Sequence, residues 1–222
     1  MKASNLILIT NHFPFGKGES FLEHEIPFLS SSFEKVVIIS KNVTGEQTRK
    51  TPANISIERY NPSSSIFESV RDGLHMLLRL KLVISLLTKE KQYLSQQKKK
   101  GSGAFHFLFK AYQLSLKIDQ AVKKHNLEGN ICLYSYWLNS SALAITLCGK
   151  GNGISRAHGG DLYEYRNDNN YIPFRELLAE KLSRISPISL DGSNYLKSIV
   201  DKRYHHKIIP SNLGTPPPKR IP

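Results

Sequence analysis

The sequence predicts a doubly wound α/β fold, a mostly parallel sheet wrapped by helices and interrupted by a basic helical insertion. Three observations carry that expectation. Short, β-branched apolar runs recur along the chain, as buried parallel strands require. Segments of helical period separate them, so consecutive strands join by right-handed crossovers and not by hairpins. The alternation lapses once, between residues 65 and 126, where two helical stretches follow each other and carry most of the excess positive charge.

The first strand is 6–10 (LILIT), and it breaks at Asn11-His-Phe-Pro-Phe-Gly-Lys-Gly. A short helix over 19–29 follows, with Glu19 and Glu23 in early turns where carboxylates complement the helix dipole. Residues 36–40 (VVIIS) and 54–59 (NISIER) form the next two strands. One helix is expected over about 65–94. After the KKKGSG linker (98–103), a second spans about 104–125, with Phe107, Ala111, Leu114, Ile118 and Ala121/Val122 at spacings of three and four. The alternation then resumes. Strands fall at 131–135 (ICLYS), 154–157, 185–189 and 207–210, with helices at 140–148, 173–182 and 191–200. The whole is a Rossmann-like order.

With 222 residues, 40% hydrophobic and 22% charged, the chain has the composition of a folded globular protein and not of a disordered one. Its two cysteines, Cys132 and Cys148, lack disulfide-scaffold or metal-ligand spacing and read as buried small apolar residues in a reducing compartment. The amino terminus lacks a full signal-peptide core. The most apolar run, 76–87, is too short to span a bilayer and contains Arg79 and Lys81. A cytoplasmic location is therefore expected.

The net charge of +13 is concentrated. Residues 79–124 hold eleven basic side chains against Glu90 and Asp119, or +9, and residues 197–222 add +5. A localised basic segment implies an anionic partner. Because Leu, Ile and Phe are interleaved with the charges, an anionic membrane surface fits, held by Arg79, Lys81, Lys98, Lys99 and Lys100. The plainer reading is a buried helix pair with a solvated Lys face. No RNP-like aromatic pattern or zinc-finger spacing is present, so nucleic acid is not the expected partner.

Ligands of doubly wound sheets bind beyond the carboxyl ends of the strands, where the strand order switches. Three loops lie there. The first holds Gly16, Lys17, Gly18 and Glu19, and its glycines either permit a tight turn or bring N–H groups to an anion. It matches neither a dinucleotide fingerprint nor a phosphate loop. The second, YSYW (134–137), places Tyr136 and Trp137 either in the core or as a stacking wall for a sugar. The third begins His158-Gly-Gly-Asp161. A His just past a parallel strand stands at the ligand crevice, suited to hydrogen bonding or proton transfer. Gly159 would let a substrate approach. Asp161 would orient the His, accept a sugar hydroxyl or form an Asx-turn. There is no G-x-S-x-G elbow, H-E-x-x-H or D-x-D, and no metal site is expected.

The segments TNHFPFGKGESFLEHEIPFL (10–29), YSYW (134–137), RAHGGDLYEYRNDNNYIPFRE (156–176) and ISPISLDGSNYLK (185–197) resemble, in order, the amino-terminal half of bacterial GT-B glycosyltransferases of family 4. That resemblance implies an acceptor-binding Rossmann-like domain over 1–210, with 65–126 as its basic insertion and 211–222 opening an interdomain linker. On that resemblance a donor-binding domain is expected beyond the residues that match, and it is not expected within this chain. The implied activity is metal-independent, retaining sugar transfer in surface-polysaccharide assembly. The nucleotide sugar would be a substrate and no cofactor is needed. The acceptor would be a glycan, often polyprenyl-linked, at the inner face of the membrane. By position, Gly16 and Gly18 would approach the donor phosphates, His158 would hold the transferred sugar, and Asp161 would support the loop or the acceptor. Arg166 and Arg175 match the same run, as ligands or as ion-pair partners. The alternative is a non-catalytic module that docks anionic lipid or nucleic acid through its basic helices.

Overall fold

A computed structural model describes residues 3–61, 66–96, 103–167 and 170–214. Six strands, β1 (Ala3–Thr10), β2 (Phe33–Lys41), β3 (Ile55–Tyr60), β4 (Ile131–Ser135), β5 (Gly151–Ala157) and β6 (Arg184–Pro187), form one all-parallel sheet in the order β3-β2-β1-β4-β5-β6. The fold is the doubly wound, Rossmann-like α/β architecture that the alternation predicts. The order reverses between β1 and β4, which pair directly, Leu6 beside Cys132 and Ile9 beside Ser135.

The helices are α1 (Leu22–Ser32), α2 (Ile66–Leu77), α3 (Leu80–Gln96), α4 (Ala104–Lys124), α5 (Ser140–Cys148), α6 (Gly159–Leu162), α7 (Arg175–Lys181) and α8 (Leu190–Ile199). Strand alternation divides the core. Ile7, Ile9, Val37, Ile39 and Leu133 point to the face covered by α4, α5 and α7. Leu6, Leu8, Val36 and Ile38 point to the other face, where α1 adds Leu22 and Ile26. Each fully buried Leu or Ile contributes about 1.5–3 kcal/mol. Beyond α1 the second face stays open as a groove of about 210 Å³ between Glu25, Tyr134, Ile154, Arg156 and Ser211. There Arg156 donates to the Tyr134 hydroxyl and the Ser211 carbonyl, and pairs with Glu25.

The basic insertion separates into two parts of different character. α4 is the crossover from β3 back to β4. It buries Leu108, Ala111, Leu114, Ile118 and Ala121, so for this helix the plainer reading of a core element with a solvated Lys face holds. Two of its lysines, Lys117 and Lys124, together with His125, surround Glu58 on β3. α2 and α3 lie outside α4 and expose a large share of their apolar side chains.

Several sequence expectations need correction. The single helix over 65–94 is two, because the chain turns at Leu78 and Arg79, whose N–H groups bond to His75 and Met76 three residues back. Glu19 lies outside α1, in a left-handed conformation with φ 56°, and caps the preceding loop and not the helix. The strand over 207–210 shrinks to one parallel bridge, Ile208 to Ile185, because a 3-10 helix (Lys202–Lys207) takes its start and Pro210 has no N–H to donate. Cys132 and Cys148 are half-buried, not fully buried. Lys98, Lys99, Lys100 and residues 216–218 of the supposed linker lie outside the described residues. Among the described residues no helix is long and apolar enough to cross a membrane.

Candidate functional site

The loops after β1, β4 and β5 meet at the switch point. β4 runs out through Tyr136 and Trp137 before Asn139 caps α5, accepting the Ser141 N–H at 2.9 Å. β5 ends at Ala157, and His158 begins the turn into α6. The His158 ring is stacked against Tyr136 and Trp137, with centroids 4.8 and 4.5 Å away.

Glu19 joins the first loop to this stack. Its carboxylate accepts the backbone N–H groups of Asn11, His12 and Phe13 at 2.7–2.8 Å and the Trp137 indole N–H at 2.6 Å. Four donors on one carboxylate hold the β1 loop closed and set the tilt of Trp137. Asp161 does the same for the other two loops, accepting the N–H groups of Leu138 and His158, each at 2.5 Å. Burial pushes the Asp161 carboxyl up to about 6, against the pull of those two N–H groups. Arg175, wholly buried, donates to the Asp161 carbonyl at 2.7 Å and clamps the loop from below. Its role is structural.

His158 is 9% exposed. Its ring lies over the first turn of α6 in a capping-box arrangement, yet neither nitrogen completes a hydrogen bond with the described residues, and the buried Tyr136 hydroxyl is likewise unpaired. Burial first, and the nearby Arg156 charge second, lower the His158 pKa to about 4, against the opposing pull of Glu19. At neutral pH the imidazole is therefore uncharged, with one donor and one acceptor to offer. An unpaired buried polar atom costs about 1–3 kcal/mol, so this is a centre that a hydroxyl-bearing ligand would relieve.

Beside the stack opens a cavity of about 300 Å³ lined by Phe107, Trp137, Asn139, Asp161, Asn167 and Tyr171. Three aromatic side chains, with Ile172 and Pro173, form an apolar wall set with two amides, a lining that suits the apolar face and hydroxyls of a sugar ring. The structure thus brings Glu19, Tyr136, Trp137, His158, Gly159 and Asp161 together. Gly16 and Gly18 lie in the same loop as Glu19. Gly16 adopts a left-handed φ of 61° in open space, whereas a side chain at Gly18 would touch His12 at 3.3 Å. Lys17 between them is exposed. Arg166 crosses directly over Gly159, where an added Cβ would meet Arg166 Nη1 at 2.6 Å. Arg166 also stacks on Tyr163, and its flexible end could move aside for a side chain at this position. Arg79 and Lys81 belong to another region, the α2–α3 turn.

Sequence reasoning passed over Asn139, Asn167, Tyr171 and Lys41. Asn139 could have been read as the N-cap before an apolar helix. Lys41, at the end of β2, donates to Ser141 at 2.6 Å, and burial lowers its pKa to about 8. Nothing local marks it, since only the sheet brings it to α5. Among the described residues no three His, Cys, Asp or Glu side chains gather as metal ligands. No known family model matches the chain, and no curated protein matches it.

Proposed function

We propose that this chain is the acceptor-binding half of a retaining glycosyltransferase of the GT-B type. It takes part in surface-polysaccharide assembly, peripheral on the inner face of the membrane, and works with a donor-binding domain that holds the nucleotide sugar. The observation that carries the reading is the buried, uncharged His158 imidazole, unpaired at both nitrogens, at the switch point beside a cavity rich in aromatic and amide groups. The ordered resemblance of four segments to family 4 enzymes supplies the reaction class.

In this reading Trp137 and Tyr171 flank the acceptor sugar, while Asn139 and Asn167 hydrogen-bond its hydroxyls. His158 donates to or accepts from a hydroxyl of the transferred sugar beside the reacting carbon. Its low pKa suits that task, because a neutral ring adds no charge to repel the positive character that develops at an anomeric carbon. Glu19 and Asp161 do not touch the sugars. They fix the Trp137 and His158 rings before substrate arrives, and such preorganisation is a main source of transition-state stabilisation.

Transfer assays in the presence of the donor domain test this directly. His158→Ala is expected to lower kcat by about a hundredfold or more, as loss of a polar transition-state contact does. The isolated chain offers a binding test, since Trp137 is its only tryptophan. Acceptor oligosaccharide should shift Trp137 emission, and Asn139→Ala should abolish the shift. Unchanged turnover in His158→Ala would overturn the assignment.

A further inference from the structure

We infer that the turn between α2 and α3 is the surface through which this domain sits on an anionic lipid bilayer. Its purpose, to hold the acceptor cavity at a membrane-borne substrate, rests on the reading above, but the surface itself does not. Residues 77–82, Leu-Leu-Arg-Leu-Lys-Leu, are all exposed, Leu78 at 81%. Back along α2, Phe67, Val70 and Leu74 continue the stripe at helical spacing with 78, 57 and 61% exposure. Met76, Val83 and Leu86 on the inner side are already buried in the core. The two helices therefore carry a second apolar face that water does not favour.

The charges around that face select its occupant. Arg79 and Lys81 are both cations and both exposed, as are Lys89 and Lys91 further along α3. The single acid of α3, Glu90, turns inward and accepts from the Tyr171 hydroxyl at 2.6 Å and the Phe174 N–H at 2.9 Å. A protruding turn with leucines between cations fits the boundary of an anionic bilayer, leucines among the acyl chains and cations at the phosphates. A second copy presenting the same face would set Arg79 and Lys81 against their own images.

The location relative to the site follows from α4. On one side of its first turns Phe105 and Phe109 join Met76, Leu77 and Leu80 around an apolar groove of about 170 Å³. On the other side Phe107 lines the acceptor cavity. α4 thus separates the acceptor cavity from the groove beside the turn by about one helix diameter, roughly 10 Å.

Co-sedimentation of the 222-residue chain with vesicles tests the proposal. Vesicles of phosphatidylglycerol and phosphatidylcholine in equal parts should bind it, and phosphatidylcholine alone should not. Reversal of two cations in Arg79→Glu/Lys81→Glu should weaken binding by about thirtyfold or more. Leu77→Ser/Leu78→Ser should weaken it by about tenfold or more, and what remains, held by the cations, should be more sensitive to raised salt. All four side chains are exposed, so circular dichroism should match wild type. A chain left in the supernatant with anionic vesicles, or variants that bind like wild type, would overturn the proposal. So would a concentration-dependent dimer abolished by Leu77→Ser/Leu78→Ser in a chain that ignores vesicles, which would assign the face to a second copy. His158→Ala should bind vesicles normally, so failure here and failure of the transferase reading are separable.

Discussion

At the scale of single residues, His158 combines two properties that pure packing would not select. It is buried, and its ring nitrogens are unpaired. A phenyl ring at this position would keep both aromatic contacts and remove the unsatisfied atoms. His158→Phe is therefore expected to fold with a stability within about 1 kcal/mol of wild type or better, while transfer is lost. A loss of about 3 kcal/mol or more on chemical denaturation would mean that the imidazole is a structural hydrogen-bonding group. The comparison also has a pH signature. The folded His158 protonates only near 4, whereas an unfolded one does so near 6.5. Between those values the unfolded chain binds the extra proton, so wild type loses stability from this residue as pH falls. Asp161 works the other way, because its raised pKa contributes stability at low pH that is lost as pH rises through about 6. The stability difference between His158→Phe and wild type isolates the first effect and should grow in favour of the variant from pH 6.5 down to 4. The place of His158 past a strand end was legible in the sequence. Its neutrality was not, since the stack with Tyr136 and Trp137 that buries the ring arises only when separate strands are assembled.

At the scale of elements, edge strand β3 is tied to α4 by Glu58. Burial alone would raise the Glu58 carboxyl, but hydrogen bonds from Lys124, Lys117 and His125 outweigh it and hold the pKa at about 2. A carboxyl depressed in this way contributes stability above its unfolded value of 4.5 and loses it as pH falls towards 2. Glu58→Gln should cost about 2 kcal/mol at neutral pH and flatten the acid limb of the stability profile within that window. An equally steep acid limb in the variant would show that the cluster contributes nothing. Nothing local joins Glu58 to residues 117–125, because the pairing spans a crossover. The limits of β4 and α5 could be read closely, since a short apolar run is followed directly by an apolar helical stretch. Breaking 65–94 into two helices could not. Its apolar residues satisfy a helical period throughout, and only docking against α4 decides where the chain turns.

For the whole molecule, the sheet divides the chain into regions of unequal stability. β1, β2 and β4 are central and contribute side chains to both core clusters, whereas α2 and α3 rest on α4 with an exposed outer face. Amide hydrogen exchange should be slowest in β1, β2 and β4 and fastest, among the helices longer than ten residues, in α2 and α3. Uniform protection across α2–α4 would instead make the insertion part of the central cooperative unit. The amino-acid sequence by itself determined the α/β class, the parallel alternation, the concentration of charge in 79–124 and the candidacy of His158. These depend on patterns within a few residues, and local sterics and hydrophobic period act at that range. The tertiary structure alone decided that Glu19 braces Trp137 and not a helix, that α4 belongs to the core while the α2–α3 turn faces outward, and that an aromatic and amide cavity opens beside His158. Each of those depends on groups distant in sequence, and only the assembled sheet, with its reversal between β1 and β4, brings them within hydrogen-bonding or van der Waals reach.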